Sequence, residues 1–99
     1  YLIETPSATY FVRVSGDSME GSGIFSGDLL IVDRSLEAKN RDVVVASVDG
    51  ELLVKRLVKK KGSITLLSEN KEYAPIELKT DQELVVWGVV TTCIHSLKK

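Results

Sequence analysis

The dipeptide Asp49-Gly50 joins two apolar, β-branched runs, Val43-Val-Val-Ala-Ser-Val48 and Glu51-Leu-Leu-Val-Lys-Arg-Leu-Val58. The type I′ form of a two-residue hairpin turn needs positive φ at both central positions, and Asp-Gly supplies that with little strain. The strongest local signal therefore commits the chain to antiparallel sheet. Other segments agree. Thr9-Tyr-Phe-Val-Arg-Val14 is β-branched and aromatic and stops at Ser15-Gly16. Asp28-Leu-Leu-Ile-Val-Asp33 reads as a buried strand, and Ser63-Ile-Thr-Leu-Leu67 follows the turn Lys59-Lys-Lys-Gly62. Glu83 to Ile94 is Val-rich, holds the single Trp and has Gly88 placed to mark a bulge. Helix is confined to short turns expected around Met19 to Gly21 and Ser35 to Asn40. Roughly six or seven short strands at this spacing predict an all-β fold, a sandwich or partly open barrel.

At 99 residues the chain is long enough for one modest core and too short for two. Thirteen basic residues against fourteen acidic ones leave a net charge of -1. That balance argues against a general nucleic-acid binder, so direct DNA binding is expected to be weak or absent. One Cys cannot close an internal disulfide, and one Cys with one His cannot build a structural zinc site. No cofactor or metal is expected. No apolar run approaches the ~18 residues of a membrane span, and no signal-peptide pattern opens the chain, so a soluble, reducing compartment is the default. The start at Tyr1 predicts a fragment or processed product.

Gly21-Ser-Gly-Ile-Phe-Ser-Gly27 has Ser26 where a dinucleotide fingerprint needs glycine, and a strand rather than a helix follows. Its glycines are read as turn residues. Ser18, in Ser15-Gly-Asp-Ser-Met19, sits at a turn permitted by Gly16, where a serine ordinarily satisfies local backbone groups. It is also a place from which a hydroxyl can act as nucleophile. Gly16-Asp17-Ser18 is superficially similar to the Gly-Asp-Ser esterases, whose Asp-x-x-His is missing: Thr92 stands three before His95. His95, close to the end of the sequence, is read as a solvated residue. Lysine is the remaining base. On a strand Lys55 shares one face with Leu53 and Leu57. It is there either to snorkel or to be desolvated. With an ordinary pKa near ~10.4, about one lysine in 2,500 is neutral at pH 7, and a pKa of roughly 7 corresponds to ~4.6 kcal/mol against the ammonium.

Ser18-Met19, Gly27-Asp28 before an apolar strand and Val54-Lys55-Arg56 in a later one occur together in an order that resembles the Ser-Lys peptidases of the LexA and signal-peptidase superfamily. Signal peptidases would need a membrane anchor and a second Gly-Asp box. The UmuD-like branch is the closer likeness, through Pro6-Ser-Ala-Thr-Tyr-Phe-Val12, Ser15–Met19, Gly27–Asp33, Val48-Asp-Gly-Glu51, Tyr73-Ala-Pro-Ile76 and Trp87-Gly-Val-Val90. The resemblance implies Ser18 as nucleophile, Lys55 as general base and the backbone amides of Asp17 and Ser18 as oxyanion donors. It implies Met19 beneath the nucleophile or lining the cleft; Asp28 is matched by motif only, and a structural role is expected there.

The resemblance further implies a self-cleaving, low-turnover serine endopeptidase of the bacterial SOS response, cytoplasmic, and one UmuD-like peptidase and dimerisation domain over residues 1–99. Its processed homodimer would serve a Y-family translesion polymerase (a UmuC-like catalytic subunit), with cleavage stimulated by a RecA–single-stranded DNA filament. Family members cut at Ala-Gly or Cys-Gly, and this sequence has neither dipeptide, so the upstream arm and cleavage site are expected to lie outside it. The alternative is the dimerisation and autocleavage domain of a LexA-like repressor. Glu83 to Ile94, apolar on both faces, is read as a doubly buried central strand or, in part, a dimer interface, with Cys93 a buried thiol. Lys59-Lys60-Lys61 is read as a solvated hairpin tip, with a phosphate or acidic-partner contact as its functional alternative.

Overall fold

The computed structural model describes residues 8–79 and 81–97. Residues 1–7, including Pro6 and Ser7 of the first family-like motif, lie outside the described residues. Seven strands form one antiparallel sheet: β1 (Thr9–Arg13), β2 (Leu29–Asp33), β3 (Val43–Val48), β4 (Glu51–Lys60), β5 (Ser63–Leu67), β6 (Ile76–Glu77) and β7 (Leu84–Ile94). Their spatial order is β1-β2-β7-β3-β4-β5-β6, and the sheet does not close. Among the described residues a short 3-10 turn spans Glu20–Ser22.

The hairpin at Asp49-Gly50 forms as expected, with φ of 48° and 85° at the two turn residues. It sets the β3–β4 register from Val48↔Glu51 to Val43↔Arg56. β4 runs two residues beyond the expected Val58, because Lys59 and Lys60 stay paired with Ile64 and Ser63. No helical turn forms over Ser35 to Asn40. Asp33 Oδ1 instead accepts from the Ser35 amide and hydroxyl, and Asp42 Oδ2 accepts from the Lys39 amide, which holds the segment in bends. The two-residue β6 carried no sequence signal.

β3 packs on both faces, as its unbroken apolar run requires. Val44, Ala46 and Val48 join Leu57, Leu66 and Val89 in one cluster, while Val45 joins Met19, Ile24, Leu30 and Val32 in the other. β7 lies between β2 and β3, yet Val85, Val86, Trp87 and Ile94 remain exposed. It is therefore not buried on both sides along its length. Its pairing skips one residue against β3, between Val86 and Gly88, and one against β2, between Val90 and Thr92. Each bulge bends and twists the strand, which curls the sheet over itself. Gly88 sits where a Cβ would fall 2.6 Å from Val32 Cγ1 and 3.1 Å from Asp33 O, so no side chain fits at that crossing.

Candidate active site

β4 changes neighbours halfway along. On its β3 side it pairs from Glu51 to Arg56, but β5 covers its other side only from Arg56 to Lys60. The second edge of the Glu51–Lys55 half has no strand beside it among the described residues. β1 is likewise paired only with β2 there. The curl brings these two edges together as the walls of one cleft of about 200 Å3. Ser18, Met19 and Lys55 all line it, with Arg13, Val14 and Leu53 among their neighbours.

The Ser18 turn is built from the backbone. Just beyond β1, Val14 N–H donates to Asp28 O (2.9 Å) and Gly27 N–H donates to Val14 O (2.8 Å). Gly16 then takes φ +91°, a region its neighbours could adopt only with strain. Beyond the turn, Met19 is 3% exposed in the core, and its carbonyl accepts from Ser22 and Ile24. Ser18 is thereby carried on a buried neighbour. The Asp17 and Ser18 main-chain N–H groups have no acceptor among the described residues, and neither does the Ser18 hydroxyl have a hydrogen-bond partner there.

Lys55 is 6% exposed and stands between Leu53 and Leu57 on its face of β4. Burial lowers its pKa from the ordinary 10.5, and Glu51 on the same strand pulls the other way. Its Nζ donates not to Ser18 but to Ser68 Oγ at 2.6 Å. The Tyr73 ring lies over the same nitrogen, 5.2 Å from its centroid.

Residues 68–73 connect both halves of the cleft. The Tyr73 hydroxyl donates to Asp17 Oδ1, and Asn70 Nδ2 donates to Asp17 O (2.9 Å). Gly21 N–H reaches Glu69 O at 2.6 Å. Arg56 then gathers three acceptors: Glu69 Oε1 (2.6 Å), Arg41 O (2.6 Å) and Ser22 Oγ (3.0 Å). Of the residues the sequence singles out, Ser18 and Lys55 line this cleft together, while Ser68, Asn70, Tyr73 and Arg56 are not anticipated as parts of the same assembly.

A second groove of about 390 Å3 is lined by Tyr10, Val12, Arg34, Val45, Leu52 and Trp87. Val12, Val45 and Leu52 also line the first cleft, so the two are continuous. The groove is apolar with one cation, Arg34.

Asp28 is not in this cleft. It is 2% exposed and accepts from the Phe25 amide (2.8 Å), with Cys93 Sγ at 3.2 Å and His95 Nδ1 at 2.6 Å. Burial pushes its pKa up, but these hydrogen bonds outweigh burial and hold it below the ordinary value. His95 is therefore tied to Asp28, just before β2, rather than simply solvated. A carboxylate between thiol and imidazole is the wrong order for thiol catalysis, which needs the imidazole beside the sulfur. Burial and Asp28 together push the Cys93 thiol up to about 11. Among the described residues no group of three or more His, Cys, Asp or Glu side chains is arranged to hold a metal ion, and no helix is long and apolar enough to cross a membrane.

Comparison with known proteins places this geometry in context. Residues 1–91 match the family model described as Peptidase S24-like. The chain is 47% identical over 98 residues to Protein MucA of Salmonella typhimurium, covering 98% of this chain and 64% of MucA. It is 44% identical to Protein SamA of Salmonella typhimurium strain LT2, covering 99% of this chain and 67% of SamA. Against the LexA repressor of Xylella fastidiosa strain M23 it is 44% identical over 85 residues, 86% of this chain and 40% of the repressor. The chain thus spans about two thirds of the length of MucA and SamA.

Proposed function

The chain belongs to the Peptidase S24-like family, and from that premise we propose that it is a serine–lysine endopeptidase that cuts an extended arm of its own full-length precursor. Ser18 is the nucleophile and Lys55 its general base. The observation that carries this reading is that both line one cleft, with the lysine buried among leucines and its pKa lowered.

Neutral Lys55 takes the Ser18 hydroxyl proton as Oγ forms its bond to the scissile carbonyl carbon. The carbonyl π pair moves onto oxygen, toward the Asp17 and Ser18 amides. Collapse breaks the C–N bond, and the Lys55 ammonium returns the proton to the leaving amine. Water, deprotonated by the Lys55 amine, then attacks the acyl carbon; the Ser18 ester C–O bond breaks and the Lys55 ammonium returns the proton to Ser18 Oγ.

The unpaired edges support an extended substrate. In an antiparallel ladder successive residues turn their main-chain groups to alternate sides. Val14 bonds toward β2, so Phe11 and Arg13 direct theirs outward; the tight turn at Asp49-Gly50 places Leu52 and Val54 outward on β4. A peptide strand laid between them meets donors and acceptors from both walls.

Cleavage in trans tests this reading, using a Ser18→Ala copy of the full-length precursor as substrate from about pH 6 to 11. Cleavage that rises with pH and disappears in Lys55→Ala is the expected result. Cleavage that persists without Lys55, or never occurs, overturns it.

The likeness to MucA, SamA and Protein ImpA supports a role in SOS mutagenesis. In this reading a cytoplasmic RecA–single-stranded DNA filament stimulates processing, and the processed homodimer serves a Y-family polymerase. Exposed Trp87, Val85 and Val86 provide apolar surface for such contacts. Dilution of the processed protein is expected to red-shift Trp87 emission as mass falls to the monomer. A concentration-independent monomer removes the homodimer. The LexA relative favours a second reading, the cleavage domain of a repressor; a helix-turn-helix upstream in the full-length protein selects it.

A further inference from the structure

The serine that meets Lys55 was brought there by strand register. β4 and β5 pair from Lys60↔Ser63 to Arg56↔Leu67. The next position along the same ladder sets 55 opposite 68, and opposed residues project to one face. Ser68 Oγ consequently lies 2.6 Å from Lys55 Nζ.

A buried ammonium needs acceptors, since it carries three donors and has left water. Leu53 and Leu57, its neighbours on the strand face, offer none. Among the described residues Ser68 Oγ is the hydrogen-bond acceptor, and the Tyr73 ring faces the nitrogen from another side. The charged groups around it are Glu51 on its own strand and Arg13 across the cleft. Asp17 is reached only through the Tyr73 hydroxyl.

We infer that Ser68 is the positioning residue of Lys55, an inference that rests on the serine–lysine reading above. The neutral amine keeps one N–H on Ser68 Oγ, which fixes the end of a flexible four-carbon stem. Its lone pair is then left to accept the Ser18 proton. In that step the Ser18 O–H bond breaks, an N–H bond forms on Lys55, and the resulting ammonium still donates to Ser68. Without the anchor the amine samples more orientations and a smaller share of them face the nucleophile, and misplacement of a reacting group by about 1 Å can cost roughly a hundredfold.

The same short segment supplies Asn70 and Tyr73 to Asp17, next to the nucleophile. Ser68 therefore belongs to an element that touches both partners of the proposed dyad.

The test compares parent, Lys55→Ala, Ser68→Ala and Ser68→Thr full-length proteins in the trans-cleavage assay across pH. Ser68→Ala is expected to lower the high-pH plateau by roughly tenfold to a hundredfold. It also removes an acceptor that favours the ammonium, so the midpoint moves to lower pH. Ser68→Thr keeps a hydroxyl and restores both. The Lys55 side-chain nitrogen resonance, titrated in the same variants, reads the midpoint shift without any cleavage. Parent-like plateau and midpoint in a folded Ser68→Ala protein overturn the inference. If Ser68→Ala does not fold, Ser68→Thr with a plateau as low as Lys55→Ala overturns it and parent-like behaviour supports it. An inactive parent, or an active Lys55→Ala, instead removes the serine–lysine reading itself, and the two failures are told apart by those controls.

Discussion

Arg56 and Glu69 meet at 2.6 Å, each one residue beyond the Lys55–Ser68 pair. The ion pair and the buried contact thus form neighbouring links between β4 and the segment after β5. Because Arg56 also holds Ser22 and the Arg41 carbonyl, one planar guanidinium joins three separate parts of the chain. Lysine has the charge without the fork. Arg56→Lys is expected to cost about 1–2 kcal/mol, read as a lower urea midpoint at unchanged slope. An unchanged midpoint contradicts this account.

Gly21 carries a different constraint. A Cβ there would fall 2.3 Å from Glu69 O, the same oxygen that accepts the Gly21 N–H. Gly21→Ala must push the 3-10 turn away from residues 68–73. A loss of about 1–3 kcal/mol is expected from such overpacking, together with slower cleavage, since the turn follows Ser18 directly. Thermal melts and the cleavage assay check both. A melt equal to the parent's shows that the contact yields freely.

Lys55 couples the proposed chemistry to stability. Burial lowers its pKa below 10.5, opposed by Glu51. Between its folded pKa and about 10.5 the unfolded chain binds more protons, so stability rises with pH in that window. Below the window both states are protonated and the full cost of the buried ammonium remains. Lys55→Met is accordingly expected to melt higher than the parent at pH 7, with the difference shrinking as pH approaches 10.5. A difference that grows with pH reverses the assignment.

Cys93 should be nearly inert. Its thiol, pushed from 9.0 up to about 11, carries about a hundredfold less thiolate at neutral pH than an ordinary cysteine. Reaction with a disulfide reagent at pH 8 is expected to be slow in the folded protein and fast in urea. Asp28→Asn removes the carboxylate beside the sulfur and should speed the folded reaction. Equal rates for folded and unfolded protein would falsify the role of Asp28 and burial.

Much of the fold was legible because the turns announced register. Asp49-Gly50 fixed β3 against β4, and the bounds of β3 and β5 follow directly from their apolar runs. What failed was local structure set by side chains acting at a distance. Asp33 and Asp42 replace a helical turn over 35–40 with bends, and nothing in that composition specifies which amide each carboxylate takes. The doubly buried reading of β7 fails because its two bulges change which side chains face inward, and alternation alone cannot place them. Ser18 and Lys55 stood out through the motifs around them. Ser68 did not, although a two-residue turn at Lys61-Gly62 pairs 60 with 63 and, counted outward, 55 with 68. That arithmetic was available in the sequence; the chemistry of a serine in a polar stretch was not distinctive enough to prompt it. Tyr73 and Asn70 reach Asp17 across 56 and 53 residues, which only the curl of the sheet brings near.

The half of β4 left uncovered by β5, facing the outer edge of β1, also bears on solubility. Exposed strand edges are where folded proteins recruit one another, and most are short, charged or capped. Here the borders carry Phe11 and Leu52, both more than half exposed. If the cleft takes a peptide strand as proposed, it cannot be plugged without losing that purpose. Handling this protein at high concentration therefore pits yield against crowding at its own cleft, and a short competing peptide in the buffer is a rational stabiliser.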